Sequence, residues 1–268
     1  MSRLLSLAVF FLCLDVRAQT NGPYSVIALL QKADLPASAA STPTNAISSA
    51  LLRMGGIPPK DSVATANVTI TAGRTTESGT MKISTRGTTQ TLEEISLPSG
   101  VQRSVFSEGM GLKGFRDKTV GMTFEQSLSA QSLLFVLPWL SAQMSNPDGI
   151  VEDLGIDNQN AKALKHLRIS KAFASNKQLQ HYSRLTARDI WIDPDTGLPT
   201  KIAYERRYAS GAVPSIRISL EYSDYRRIGG FLYPFSIRKF VNGTLWADIS
   251  VQTVAFDTNI PDSNFSKN

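Results

Sequence analysis

Apolar and polar residues alternate with a period of two along most of the chain from residue 63 onwards. In VATANVTITA, residues 63–72, the even-numbered positions from Ala64 to Ile70 are apolar, and Thr or Asn occupies most of the positions between them. GTMKIST continues the pattern with Met81 and Ile83, and TLEEISL and VQRSVF follow on either side of Pro-Ser-Gly. Such alternation, interrupted by turn residues, predicts sequential antiparallel strands joined by short loops.

The clearest alternation lies in the C-terminal part of the chain. HLRISKAF and ARDIWI have strand character, and one apolar residue in two recurs over 202–208, 216–222, 231–237 and 245–251. The connections are SGAVP, RRIGG and Asn242-Gly243, of which the last is a strong signal for a two-residue hairpin. One apolar and one polar face over these strands predict an antiparallel meander with one solvated side.

Two segments have helical character instead. TNAISSALLRMGG is expected to begin with a cap at Thr44 or Asn45 and to stop at the glycine pair 55–56. FEQSLSAQSLLFVLPWLSAQM, residues 124–144, is the most apolar part of the chain after the N-terminal run, and Pro138 is expected to kink or end it. We therefore expect an α+β domain over residues 19–268, with a helical segment over 23–60 and a sheet over 63–268 that contains an inserted apolar helix at about 124–144.

The first 18 residues have the features of an export signal. Arg3 precedes an apolar run from Leu4 to Leu14, and Val16-Arg17-Ala18 places small residues at the positions that signal peptidase reads. The run is shorter than the roughly 20 residues that span a bilayer, and no later segment is long enough to do so. A retained N-terminal helix is the alternative. We expect cleavage near Ala18 and an exported protein, periplasmic or extracellular.

Cysteine content and charge exclude several classes of function. Cys13 is the single cysteine and lies within the apolar run after Leu12, where lipoprotein processing needs a small residue. The mature chain would then have neither disulfides nor thiolate chemistry. The formal charge of +6 falls to +5 without the signal, and the basic residues are scattered, so nucleic-acid binding is poorly supported.

The stretch IDPDTGLPTKIAYE resembles a metal loop only at first sight. Asp193 and Asp195 are two residues apart with Gly197 behind them, but a calcium loop starting at Asp193 would need a ligand at Gly197 and Glu at Tyr204. A turn between two strands accounts for the residues better, because Pro194 fixes φ, Asp193 caps the backbone and Gly197 allows positive φ.

The other candidate sites for chemistry are incomplete. The glycines of EGMGLKG match a dinucleotide pattern but lie among antiparallel strands, so a hairpin tip is favoured. His166 and His181 lack cysteine or glutamate partners at metal-ligand spacing, and a G-x-S-x-G hydrolase motif is absent. Glu93 and Glu94 are adjacent on a strand and point to opposite faces. We therefore expect no catalytic residue, no metal site and no cofactor.

Three motifs taken together are similar to the LolA-like superfamily of outer-membrane lipoprotein-sorting proteins. IWIDPDTGLPTKIAYE resembles the D-x-x-T-G-L-P-x-x-I hairpin of that superfamily, and ISLEYSDYRRIGGFLYPFSI resembles its Y-x-D-Y-R-x-x-x-G-x-x-x-P hairpin. TNIPDSNF resembles its C-terminal I-P-D-S-x-F. The resemblance implies a LolA/LolB-like half-barrel, a strongly curved antiparallel sheet around helices with an apolar hollow for lipid groups. It implies no catalytic residue, because the matching positions are structural.

These observations favour an exported, non-enzymatic carrier or binding protein for a lipid or acyl chain. A structural or interaction protein of the cell envelope, with a filled core and a protein partner, is the alternative, and an enzyme is least favoured. The helix–sheet layer would form either an ordinary core or a cavity for the ligand. The residues expected to form the lid or lining are Phe135, Leu137, Trp139 and Leu140, with Phe106, Trp191 and Trp246 as further candidates.

Overall fold

The computed structural model describes residues 42–107, 109–116, 118–130, 132–159, 162–206 and 215–266. The expected export signal, residues 23–41 of the expected helical segment, and the SGAVP connection lie outside the described residues. The single-domain organisation stays a prediction.

Thirteen strands within the described residues form one antiparallel sheet. In spatial order the strands run β6-β5-β4-β3-β2-β1-β13-β12-β11-β10-β9-β8-β7, so two sequential meanders meet where β1 pairs with β13. The predicted antiparallel meander is confirmed. The strands are β1 Asp61–Ala72, β2 Thr75–Arg86, β3 Gln90–Leu97, β4 Gly100–Ser107, β5 Met110–Phe115, β6 Lys118–Gly121, β7 Gly149–Gln159, β8 Lys162–Lys171, β9 Arg188–Ile192, β10 Pro199–Arg206, β11 Ile216–Ile228, β12 Phe231–Val241 and β13 Thr244–Phe256.

The first helix, α1 (Pro43–Met54), begins earlier than predicted. Thr42, not Thr44 or Asn45, precedes its first turn, and Pro43 stands at the first helical position, where the missing N–H is not needed. The predicted stop is confirmed: Gly55 and Gly56 have φ of 130° and 76°, and the Gly56 N–H donates to the carbonyl of Leu51 at 2.7 Å.

The apolar segment 124–144 forms two helices rather than one. They are α2 (Phe124–Ser129), which Thr123 and Gln126 cap reciprocally, and α3 (Val136–Met144). Pro138 does not end a helix. It lies in the first turn of α3, where a proline is tolerated, and the break falls before it, with residues 130 and 132–135 outside any helix. The Tyr222 hydroxyl donates to the carbonyl of Leu133 at 2.8 Å and holds the non-helical strap of residues 132–135 against β11.

The main core lies between one face of the sheet and helices α1 and α3. Alternation sets its composition: the inward residues Ala64, Ala66, Val68 and Ile70 of β1 are all buried, as predicted. The remaining described elements are short: the helix α4 (Ser183–Thr186) and two 3₁₀ turns, Lys177–Tyr182 and Asp262–Phe265.

One inward residue was predicted wrongly. Leu245, expected to share the face of Ala247, is 37% exposed. A bulge explains this, because Phe240 pairs with Leu245 and Lys239 pairs with Ala247, which leaves Trp246 as the extra residue.

A small second cluster lies on the outer face of the sheet and anchors the C-terminal motif. Ile260 and Phe265 pack there against Leu92 and Val105. The Asp61 carboxylate accepts hydrogen bonds from the Thr258 N–H and hydroxyl, both at 2.7 Å. The TNIPDSNF ending thus closes the outer face of β3 and β4.

The IDPDTGLP segment is a turn between β9 and β10. The Asp193 N–H donates to the Leu198 carbonyl at 3.0 Å, and Gly197, at φ 69°, donates to the Asp193 carbonyl at 2.8 Å. The Asp193 carboxylate accepts from the Asp195 N–H, the Thr196 hydroxyl and Lys162 Nζ, the last at 2.6 Å. Burial raises the pKa of this carboxyl, but these hydrogen bonds outweigh burial and hold the pKa below its ordinary value.

Candidate ligand-binding hollow

A hollow of about 730 Å³ lies on the inner face of the sheet. Strands from both meanders contribute to its walls, which include Val68 of β1, Phe106 of β4, Leu220 of β11 and Ile249 of β13. Leu133 and Leu134 of the strap border one side. Because strands far apart in the sheet order line one space, the sheet is strongly curved.

Strand register brings the apolar wall together. Val68 lies opposite Ile249 across the β1–β13 junction, and Met81 lies opposite Ile95 across the β2–β3 pair. Since inward positions recur every second residue, one strand can add several apolar side chains to the same surface, as β11 does with Ile216, Ile218 and Leu220. The wall is therefore built from the alternation that also forms the core.

Charged side chains occupy part of the same inner surface. Lys113 of β5 lies opposite Ser104, which lies opposite Glu93 of β3, so all three point to the hollow. Arg206 of β10 and Lys239 of β12 approach from the other meander. Lys239 Nζ lies 4.9 Å from the ring centroid of Trp246.

Lys113 is the most perturbed of these groups. Burial, together with the positive charges of Arg206 and Lys239, lowers the pKa of Lys113 to about 8, while Glu93 acts in the opposite direction. Within the described ranges, Lys113 Nζ makes no hydrogen bond or ion pair. Glu93, in contrast, accepts a hydrogen bond from the hydroxyl of Ser132 in the strap. Its neighbour Glu94 points outward to Arg103, as the alternation predicts.

The structure separates the seven predicted site residues into three groups. Phe106 and Trp246 line the hollow. Phe135, Leu137, Trp139 and Leu140 are buried in the main core beside it, where Phe135 packs against Tyr233 with ring centroids 4.7 Å apart. They are core rather than lining because the segment turns into α3 there, and it is Leu133 and Leu134 that border the hollow. Ligand contact at any of the seven stays a prediction.

Trp191 lies on the opposite face of the sheet. Its ring stacks on His166 at 4.2 Å, and its N–H donates to Asp157 at 2.7 Å. The alternation of β9 causes this, since Ile190 and Ile192 take the inward positions on either side.

The basic residues of the hollow were not predicted from the sequence, although their spacing from inward apolar residues indicates where they point. Lys239 follows the inward Ile237 by two positions, and Arg206 follows the inward Tyr204 by two. A charged residue in phase with an apolar inward row is the pattern to look for.

The described residues offer no other obvious chemical centre. They contain no group of three or more His, Cys, Asp or Glu side chains placed to hold a metal ion. None of the helices described is both long and apolar enough to cross a membrane. The hollow is thus the main candidate site, and its wall combines a somewhat larger apolar part with polar and basic side chains.

Similarity to known proteins is found in the fold and not in the sequence. No family model matches the sequence, and no curated protein matches it. Among solved structures, a LolA superfamily protein from Nitrosomonas europaea is 14% identical, covers 85% of this chain and 99% of its own, and has a TM-score of 0.54.

Two further structures have the same fold. A domain assigned as an outer membrane lipoprotein-sorting protein from Vibrio parahaemolyticus is 11% identical, with 84% of this chain and 97% of that chain covered and a TM-score of 0.53. A DUF1329 family protein from Desulfovibrio piger is 12% identical, with 84% and 98% covered and a TM-score of 0.53. The resemblance to the LolA-like superfamily is confirmed at the level of the fold, which is a curved antiparallel sheet around helices.

Proposed function

We propose that the protein is an exported, non-enzymatic carrier or binding protein that holds a lipid-like or other apolar ligand in the hollow. The observation that supports this most directly is the hollow itself. Its volume of about 730 Å³ is within the range of small-molecule sites, about 300–1,000 Å³, and most of its wall is apolar. A core that only stabilised the sheet would be filled to the packing density of protein interiors.

The fold supports the same proposal by analogy. One structure with this fold is assigned as an outer membrane lipoprotein-sorting domain. The N-terminal 18 residues, with their apolar run and small residues before Gln19, favour export to the periplasm or beyond. N-terminal sequencing of protein recovered from the envelope or medium tests this part, and an intact Met1 there would contradict cleavage near Ala18.

The binding experiment uses the mature protein and a neutral fluorescent probe, N-phenyl-1-naphthylamine, with lipid extraction and native mass spectrometry in parallel. We expect co-purifying lipid or saturable probe binding. Ser104→Trp places a large side chain in the hollow and should abolish binding, while Ser223→Trp on the exposed part of β11 should not. Absence of bound lipid and of probe binding in the unmodified protein would rule the proposal out.

A structural or interaction role in the cell envelope is the second candidate, and the sheet edges favour it. Met110 and Val120, on β5 and the edge strand β6, are 70% and 66% exposed, and Ile156 on the opposite edge strand β7 is 60% exposed. Open edges with apolar side chains can pair with another chain. Cross-linking in cells that recovers one stoichiometric protein through β7, from a protein with no ligand in the hollow, would favour this role.

A further inference from the structure

The hollow has a strong imbalance of charge. Lys113, Lys118, Arg206 and Lys239 line it, and Glu93 is the one acidic residue among the described lining residues. Arg103 also borders the hollow, but its guanidinium donates to the Asn264 carbonyl at 2.9 Å on the outer face. A partly buried space with several cations and one carboxylate has a positive potential, which attracts anions.

The cations come from different parts of the sheet. Lys113 is on β5, near one edge, whereas Arg206 and Lys239 are on β10 and β12 in the other meander. The curvature of the sheet brings Arg206 and Lys239 near enough to Lys113 for their positive charges to lower its pKa. Like charges gathered from separate strands in a partly buried space destabilise the protein unless a counter-charge joins them.

The described lining residues supply one carboxylate, that of Glu93, against several cations. The Glu93 carboxylate accepts a hydrogen bond from the Ser132 hydroxyl and attracts Lys113 electrostatically, but Lys113 makes no hydrogen bond or ion pair within the described residues. Lys239 lies over the ring of Trp246, which is itself part of the wall. An acidic group on a ligand would therefore find the ammonium groups of Lys113 and Lys239 available as donors.

We propose that the ligand is an anionic amphiphile, whose carboxylate or phosphate lies among Lys113, Arg206 and Lys239 while its hydrocarbon chain follows the apolar wall. This inference rests on the proposed function and specifies its ligand class. The wall beside the cations, formed by Val68, Met81, Ile95, Leu220 and Ile249, suits an acyl chain. Charge-assisted hydrogen bonds to the acidic group would give affinity that a neutral lipid lacks.

The first experiment compares ligands of one chain length. Palmitate and 1-palmitoyl lysophosphatidate carry the two acidic groups, and hexadecanol and 1-monopalmitoylglycerol are neutral. Displacement of N-phenyl-1-naphthylamine measures each affinity. We expect the anionic ligands to bind about tenfold more tightly or better, the gain of one charged hydrogen bond. The stronger of the two identifies the acidic group, and inorganic phosphate alone should compete weakly.

The second experiment removes single charges. Lys113→Met and Lys239→Met should each weaken binding of the anionic ligands about tenfold and leave hexadecanol binding unchanged. Lys82→Met, on the exposed face of β2, is the matched control and should change neither. Thermal unfolding of each variant checks that the fold is intact.

The pH dependence gives a third readout. Lys113 faces Glu93, Arg206 and Lys239, with Lys118 also lining the hollow, and its pKa of about 8 lies within an accessible range. Palmitate affinity should fall as pH rises from 7 to about 9.5, because Lys113 loses its proton, and the slope should vanish in Lys113→Met.

The outcomes separate the two proposals. Equal affinity for neutral and anionic ligands overturns the anionic inference and leaves the carrier function standing. Binding of none of the ligands overturns the carrier function itself. Tight binding of inorganic phosphate without any chain would show an anion site rather than an amphiphile site, and would also overturn the inference.

Discussion

Two basic side chains enter the inner face of the sheet in very different surroundings. Arg188 on β9 is 2% exposed, and its guanidinium donates to the carbonyls of Leu185, Ala187 and Leu128 at 2.8–3.0 Å. It also lies 4.6 Å from the ring centroid of Tyr204. Lys113 has no such acceptors among the described residues. Burial lowers the pKa of both, that of Arg188 to about 10 and that of Lys113 to about 8.

The contrast distinguishes a structural charge from one available to a ligand. The carbonyls that Arg188 bonds belong to α2, to α4 and to the residue after α4, so the arginine links two short helices beneath the sheet. A buried cation is tolerated where acceptors surround it. Lys113 borders a hollow instead, and the acceptors that it lacks are those that a ligand could bring.

Removing the arginine should have the largest effect. Arg188→Ala leaves three carbonyls without their donor and opens a cavity, so we expect a loss of about 3–5 kcal/mol in the free energy of unfolding. Urea denaturation measures it. Arg184→Ala, at an exposed arginine of the neighbouring helix α4, should stay within about 0.5 kcal/mol of the unmodified protein. Equal losses in the two variants would contradict the linking role.

A matched pair of isoleucines compares the filled and hollow parts of the inner face. Ile237 on β12 is 0% exposed in the core, and its truncation to alanine should cost about 2–5 kcal/mol. Ile216 on β11 is partly buried and lines the hollow, so Ile216→Ala should cost about 1 kcal/mol or less, because space already exists there. Thermal denaturation compares them. A larger loss for Ile216→Ala would show that the hollow is packed in solution.

Replacing the lysine should stabilise the protein. Lys113 holds a proton up to its ordinary pKa of 10.5 when unfolded but only to about 8 when folded. The unfolded state therefore binds more protons between these values, and stability rises with pH across that window. Below about pH 8 the folded protein bears the full cost of keeping Lys113 charged in its partly buried position. Lys113→Met should therefore raise the free energy of unfolding by about 1–3 kcal/mol at pH 7, after allowance for solvent screening.

Measuring both proteins at several pH values separates the effect of the charge from the effect of apolar packing. The advantage of Lys113→Met in urea denaturation should shrink above pH 8 and be absent above about pH 10.5. A constant advantage at every pH would assign it to apolar packing by methionine instead.

The smallest effect is expected at a turn remote from both cations. Gly197 has φ 69°, and an added Cβ would lie 3.1 Å from Cγ of Arg53, so Gly197→Ala should cost about 1 kcal/mol. Gly121→Ala on β6, where nothing lies within 4 Å of an added Cβ, should cost less. Thermal denaturation tests both, and ligand binding should change in neither.

Much of the fold could be predicted because its signals are local. Alternation in residues 63–72 and the Asn242-Gly243 hairpin each depend on a few neighbouring residues, and both are confirmed. The bulge at Trp246 depends on cross-strand pairing with β12 and could not be predicted locally. The break between α2 and α3, before Pro138, was also not predicted, because an apolar run alone does not show where a helix begins.

The site was harder to predict than the fold. Lys113, Arg206 and Lys239 come together through the curvature of a sheet whose strands lie far apart in sequence. Trp191 is different, because Ile190 and Ile192 on either side already indicated that it points outward. Trp191 was chosen for its aromatic character rather than for its position in the alternation of the strand.

The junction of β1 with β13 has a consequence for folding. Thr65 pairs with Thr253, their hydroxyl oxygens 2.6 Å apart and their positions 188 residues apart in the chain. Each meander needs only neighbouring strands, but joining them requires a contact of very long range, which is slow to form. Val68 and Ile249 face each other across this junction in the wall of the hollow. We therefore expect the hollow to form late in folding, when the last long strand of the chain has joined the first.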